Sequence, residues 1–146
     1  MKNLSVCYLF ICLCLTSCLS QKKLQTGTSF EIGKATSQSW VGGREESSSG
    51  VELNIPITFT DKMAVEVQEV YFRGKQVVPT VNSIEGQNVV VARIPNSQPE
   101  SSETIDLGLQ SNEAVLKYLE NNEIKYTKIT DIKQKQPLIY KSASKN

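Results

Sequence analysis

Without a single histidine in its 146 residues, this chain has no Ser-His-Asp triad, no imidazole general base and none of the usual zinc ligand sets open to it. Thiols and carboxylates are the chemistry that remains. The sequence-adjacent carboxylates are Glu45-Glu46 and Glu100 with Glu103, and glycosidases do work with two carboxyl groups ~5 to 9.5 Å apart. Neighbours in a strand, however, point to opposite faces, and neighbours in a loop are mobile and hydrated. Solvated surface is therefore the stronger reading of both pairs. Gly42-Gly43 through Ser47-Ser48-Ser49-Gly50 has the composition of a phosphate loop but lacks the Gly-Lys-Ser/Thr run between a strand and a helix that makes such a loop specific. It reads as a flexible connector. These patterns yield no catalytic, cofactor-binding or metal-ligating residue.

The thiols are confined to the start of the chain, at Cys7, Cys12, Cys14 and Cys18. Met1-Lys2-Asn3 is a short positive segment, and Leu4 to Leu15 is a mostly apolar run of 12 residues. A helix that spans a bilayer needs ~20 apolar residues, so this run reads as a secretory signal. Leu15-Thr16-Ser17-Cys18 closes it and resembles the lipobox of bacterial lipoproteins. That resemblance implies cleavage before Cys18, a diacylglyceryl group on its sulfur and acylation of its amine. The alternative, an ordinary signal peptide cut elsewhere, leaves Cys18 incidental. On the lipobox reading the other three cysteines are discarded, and lipidation explains the odd thiol left in an exported chain. The mature domain then has no disulfide, although export would allow one, and a packed core must hold it together.

The chain thus divides into a signal peptide (1–17), a lipid-anchored tether (18–28), one folded domain (29–141) and a polar tail (142–146). A domain of this length can bury ~65% or more of its unfolded surface. Once Lys2 is removed, the 16 Lys plus Arg fall to the number of the 15 Asp plus Glu. That balance gives no basic face of the kind nucleic acid requires. Seven lysines nevertheless follow from Lys117 onward, against Glu120, Glu123 and Asp131. They read as a solvated basic face, with contact to anionic glycan or lipid as the minority reading. Leu19 to Thr28 is polar enough to let the domain stand off the membrane. Its Leu19-Ser20-Gln21-Lys22-Lys23 has neither the Asp that retains enterobacterial lipoproteins at the inner membrane nor the acidic cluster that sends some Bacteroidota lipoproteins to the surface. The expected location is the periplasmic leaflet of an outer membrane.

From Ser29 onward the hydrophobic period is two. Val51, Leu53, Ile55, Ile57 and Phe59 alternate with Glu52, Asn54, Pro56, Thr58 and Thr60, the pattern of a half-buried strand. Pro56 cannot donate to a ladder, which predicts an edge strand or a bulge there. Val65 to Phe72, Gln76 to Val81 and Asn88 to Ile94 predict further strands, separated by Arg73-Gly74-Lys75 and by Asn82 to Gly86. Phe30 to Val41 makes a less regular first strand, Ile105, Leu107 and Leu109 a later one, and Leu138-Ile139-Tyr140 a last short one. Asn112 to Leu119 has the form of a capped helix. Against it, Asn121-Asn122 suits a turn at positive φ, and Ile124 to Ile129 is rich in β formers. A hairpin is the better fit, with Leu119 opposite Ile124, Lys117 opposite Tyr126 and the two glutamates in the loop. Eight or nine such strands predict an all-β chain folded as an antiparallel β-sandwich, immunoglobulin-like in architecture, with a small β-barrel as the alternative. Pro56 and the lysine-rich C-terminal strands are candidates to protect its open edges.

Three residues are candidate ligand contacts: Trp40 and Tyr71 as a sugar-stacking platform, and Arg73 as a clamp for a carboxylate. Core packing is the stronger reading for Trp40, and ordinary surface for Arg73. Trp40-Val41-Gly42-Gly43, Val70-Tyr71-Phe72-Arg73-Gly74-Lys75, Val91-Ala92-Arg93, Asn112-Glu113-Ala114-Val115 and Leu138-Ile139-Tyr140 together resemble small lipoproteins of flavobacteria and related Bacteroidota. The resemblance covers most of the mature chain and implies envelope anchoring without assigning a catalytic residue. It departs at Tyr140-Lys141-Ser142, where the family pattern has proline after tyrosine. The functional expectations rank as a non-catalytic protein-interaction module at the envelope, then a carbohydrate-binding accessory domain, then a carboxylate-dependent hydrolase. Cys18→Ser removes the thiol that would accept lipid, and stable anchoring needs two lipid signals or more. The variant should therefore leave the membrane fraction on fractionation, and membrane retention after normal export would remove the lipid-anchor assignment.

Overall fold

The computed structural model describes residues 24, 27–42, 49–60, 65–101 and 107–140. Cys18 with the segment expected to be a signal and lipobox, Glu45-Glu46, Glu103, Ile105 and residues 142–146 all lie outside the described residues. Among the described residues there is no helix. The strands are β1 (Phe30–Ile32), β2 (Thr36–Val41), β3 (Ser49–Phe59), β4 (Val65–Phe72), β5 (Lys75–Val77), β6 (Thr80–Ile84), β7 (Gln87–Pro95), β8 (Ala114–Glu120), β9 (Glu123–Ile129) and β10 (Lys133–Ile139). They form a six-stranded sheet, ordered β10-β2-β3-β7-β6 with β1 also on β3, and a four-stranded sheet, ordered β5-β4-β8-β9. Each sheet keeps open edges, so the molecule is a β-sandwich and not a barrel.

Alternation decides which face of each strand is buried. In β3, Leu53, Ile55 and Ile57 are fully buried, and the register sets Leu53 opposite Ala92 and Ile55 opposite Val90 of β7. Across the interior these residues join Val70 and Phe72 of β4 and Ala114, Leu116 and Tyr118 of β8 in one apolar core. Phe59 continues the alternation but lies at the rim, 37% exposed, with its ring edge-on to Phe30 at 6.4 Å between centroids. The buried face of the strand thus ends at Ile57.

Pro56 is not on an edge, since β3 is flanked by β7 on one side and by β1 and β2 on the other. Nor does β3 carry a bulge there, since its register with β7 runs unbroken through Pro56 opposite Val89; the interruption lies in the neighbouring chain instead. β1 pairs with Ile57 to Phe59 and β2 with Ser49 to Asn54, and the chain between them breaks opposite Pro56. Gly33 N–H donates to Pro56 O at 2.8 Å. In an antiparallel ladder a residue's N–H and C=O face the same neighbour, so the missing donor of Pro56 points into the gap. A Cβ on Gly33 would stand 3.0 Å from Pro56 Cβ, which accounts for glycine at this close approach.

The hairpins follow turn chemistry. Arg73-Gly74 (φ 48° and 76°), Glu85-Gly86 (52° and 80°) and Asn121-Asn122 (51° and 63°) each join strands through two residues at positive φ, the type I′ arrangement that matches strand twist. The β8–β9 hairpin has the expected register, with Leu119 opposite Ile124 and Lys117 opposite Tyr126. Its glutamates are not in the loop: Glu120 and Glu123 form the closing pair of the ladder, and Glu120 is buried.

Several expected strands differ in extent. Phe30 to Val41 splits into β1 and β2, and Gln76 to Val81 splits at Val78-Pro79, where the chain leaves one sheet for the other. Asn82 to Ile84, expected in a turn, belong to β6, and Ser49-Gly50, expected in a connector, open β3. Leu107 to Leu109 are turn and irregular chain, with Gly108 at φ 56°. The last strand begins at Lys133 and runs parallel to β2, against the expected antiparallel pattern. A strand arriving from the opposite sheet is free of the hairpin constraint that fixes antiparallel neighbours.

Because Ile55 is fully buried at the centre of β3, Ile55→Ala should cost ~2 to 5 kcal/mol, whereas Thr58→Ala on the wet face should stay within ~0.5 kcal/mol. Denaturant unfolding of a chain beginning at Thr28 measures both. A loss at Ile55 no larger than that at Thr58 would contradict the packing described.

Candidate functional site

Trp40 is only 8% exposed and pairs with Gly50 across β2 and β3. A Cβ on Gly50 would lie 2.4 Å from Ile94 O and 2.8 Å from the Trp40 ring, so the indole fits only because residue 50 has no side chain. The Arg93 guanidinium covers the ring at 4.9 Å and lies 3.9 Å from Glu52, a cation–π stack with a weak ionic brace. Trp40 Nε1 is buried without a protein partner. A face already occupied by Arg93 is no platform for a sugar, and core packing is the reading that holds.

Tyr71 is likewise fully buried, and its hydroxyl donates to Glu69 Oε2 at 2.8 Å. The same oxygen accepts from Lys117 Nζ at 2.7 Å. Partial burial pulls the Glu69 pKa upward, but the hydrogen bonds from Lys117 and Tyr71 and the Lys117 charge outweigh it and leave the carboxyl below its ordinary value. Arg73 is exposed at its turn, where Nε donates to Ser111 O at 3.1 Å and the guanidinium lies 4.9 Å over the Phe72 ring. It ties the β4–β5 turn to the segment before β8. The three candidate contact residues are therefore separate structural fixtures and do not converge on one site.

Where β5 meets β7, a groove of about 460 Å³ is lined by Glu69, Gln76, Val77, Val78, Arg93, Pro95 and Gln98. Its polar groups largely bond to one another and to the chain. Gln98 Nε2 donates to Gln76 O, Ser101 Oγ to Gln76 Oε1 at 2.8 Å, and Lys75 Nζ to Asn96 O at 2.7 Å. This network braces the corner between the sheets. Among the described residues no group of three or more Asp, Glu, Cys or His side chains could hold a metal ion.

The remaining candidate is backbone. An open edge strand presents unpaired N–H and C=O groups, and proteins normally blunt such edges with charge, proline, bulges or a covering segment. β10 carries Lys133, Lys135 and Pro137, and its register breaks between Lys135 and Leu138, where Gln38 Nε2 donates to Gln136 O at 2.7 Å. β9 carries Lys125 and Lys128 and is bridged by Leu24 at Tyr126. β5 has three residues, and Gln98 and Ser101 close over it. β6 has none of these devices. Its five residues, Thr80-Val81-Asn82-Ser83-Ile84, are uncharged, exposed and paired to β7 without a register shift.

The chain matches no family model, no curated protein and no solved structure. The site therefore rests on its own geometry, which sequence reading located only in part. It anticipated lysine-rich strands at edges, and β9 and β10 are edges. It missed the Glu69–Lys117 pair, which depends on a register between strands far apart in sequence, and it placed most of β6 in a turn. Its one missed signal was Glu85-Gly86, a two-residue hairpin turn that predicts a strand on each side.

At the opposite end of the sandwich, Glu120 accepts hydrogen bonds from Lys125 Nζ and Ser29 Oγ, fixing the first residues of the domain to the β8–β9 hairpin. The bond from Lys125, then that from Ser29, holds the carboxyl below its ordinary value of 4.5 despite burial. A carboxyl whose folded pKa is lowered stabilises the fold above the ordinary carboxylate range, and that stabilisation is lost as pH falls through the folded value. Glu120→Gln should therefore be less stable at neutral pH and show a shallower loss of stability between about pH 5 and pH 3. Denaturant titrations across that range check it, and an acid limb identical to the parent's would contradict the clasp.

Proposed function

We propose that this chain is a lipid-anchored bacterial envelope protein, tethered through Cys18, that acts without catalysis by pairing a protein partner to the exposed edge of β6. The anchor rests on the N-terminal run closed by Leu15-Thr16-Ser17-Cys18 and on the resemblance to small Bacteroidota lipoproteins. The location that fits the tether sequence is the periplasmic leaflet of the outer membrane. The single observation that carries the interaction role is the contrast among edges: β10, β9 and β5 are blunted or covered, while β6 is uncharged and open along its length. Strand addition supplies affinity from main-chain hydrogen bonds and specificity from alternate side chains, so it needs no histidine, thiol or metal. Glycan binding has no comparable support, because Trp40 and Tyr71 are both buried.

Photo-crosslinking in native membranes tests the role. A photoreactive residue at Val81 or Ser83 of β6 should give discrete protein adducts, and one at Lys135 of the blunted β10 should give few. Equal labelling from both edges, or no adduct from β6, would remove the edge-pairing role.

A further inference from the structure

The side chains of β6 specify more than an open edge. Because side chains alternate, any strand that extends the sheet must pair outward-facing residues with outward-facing ones. In β6, Thr80, Asn82 and Ile84 share the register face of Val91, Val89 and Gln87, whereas Val81 and Ser83 share that of Val90 and Asn88. Antiparallel pairing of β6 with a second copy of itself meets this condition when Asn82 lies opposite Asn82 of the other copy. Thr80 then faces Ile84 and Val81 faces Ser83, so all five residues are used. No pair sets like charge against like charge. The neighbouring Glu85 falls opposite Pro79 of the second copy, and Gly86 opposite Val78. The exposed apolar residues of the edge, Val81 at 47% and Ile84 at 48%, gain cover.

We propose that the partner of β6 is a second copy of this chain, joined antiparallel about a two-fold axis at Asn82, so that the six-stranded sheets of two molecules become one continuous sheet. This rests on the interaction role assigned above and names its partner. A two-fold contact uses the same surface on both molecules and closes on itself, so it satisfies the β6 edge of both molecules at once. An interface of one short strand is smaller than the ~1,200 Å² at the low end of stable complexes. It depends on confinement at a membrane, where tethering raises the effective concentration of one copy near another.

The full chain, lipidated in its own membranes, carries the test. Asn82→Cys places two thiols directly opposite, at the ~4.5 to 5.5 Å Cα separation of opposed antiparallel residues, within the ~4.4 to 6.8 Å that a disulfide spans. Mild oxidation should give a disulfide dimer. Thr80→Cys alone should give none, because in this register the two copies of residue 80 are offset by ~13 Å along the strand, while Thr80→Cys with Ile84→Cys together should restore the dimer. Adding Val81→Lys to Asn82→Cys brings two cations beside the axis and should lower the dimer yield on the order of tenfold. Crosslinking of Thr80→Cys as efficient as that of Asn82→Cys would reflect random collision and overturn the proposal. Absence of a dimer from both Asn82→Cys and the Thr80/Ile84 pair would also overturn it. In that case, photo-adducts from Val81 to a different protein would leave the interaction role standing, and their absence would remove both.

Discussion

Pro56 lacks the N–H that the middle of a sheet requires, and the six-stranded sheet is built around that deficiency. β3 carries much of the core, with Leu53, Ile55 and Ile57 on its inner face, and burial on this scale needs neighbours on both sides. A proline in such a strand is tolerated only where no donor is demanded. The chain meets the condition by splitting the neighbouring strand into β1 and β2 and setting Gly33 over the proline ring. The split has a further effect. β2 is released from the line of β1, runs out to Val41 and offers its far side to β10, which enters in parallel from the other sheet.

Around the shared apolar core, specific side-chain devices brace the ends of the sandwich and the turns within each sheet. Val78-Pro79 carries the switch from β5 to β6, and Lys75, Gln76 and Gln98 brace that corner. Ser29, Glu120 and Lys125 hold the opposite end. Arg73 fastens the segment that leads into β8. The sequence offers these groups as candidate chemistry, yet the fold uses them as braces: Glu69 neutralises Lys117, and Arg93 covers Trp40. In a domain without a disulfide among its described residues, polar side chains that are mutually satisfied contribute specificity of arrangement as well as modest stability.

Legibility in the sequence followed the range of the interaction that fixed each feature. Alternation from Val51 to Ile57 is local, and β3 was readable to within two residues at its start. The hairpin at Asn121-Asn122 was readable because turn residues and cross-strand register are set within a dozen positions. The division of Phe30 to Val41 was not, since it depends on Pro56 some twenty residues on. Nor was the direction of β10, which depends on a sheet completed by β2. Trp40 shows the limit most clearly: its burial requires Gly50 to have no Cβ and Arg93 to lie across the ring, a constellation drawn from three strands. Sequence patterning identified the type of fold, and contacts between distant strands decided which aromatic and charged residues remained available.

An unblunted edge such as β6 is ordinarily a liability, because a free ladder templates aggregation. Three features of this chain limit that hazard while keeping the edge usable. The strand is short, so a mispaired partner gains few hydrogen bonds. Its two apolar residues, Val81 and Ile84, are separated by Asn82 and Ser83, so no continuous hydrophobic run forms. β10, β9 and β5 are charged, bulged or capped, so none of these three edges readily continues a stack. Growth by edge addition needs two receptive edges on each unit. β1, bordered by β3 alone, is cut to three residues around the charged Glu31, so it too offers little to an added strand, and under the proposed two-fold pairing the β6 edges of both molecules are used up together.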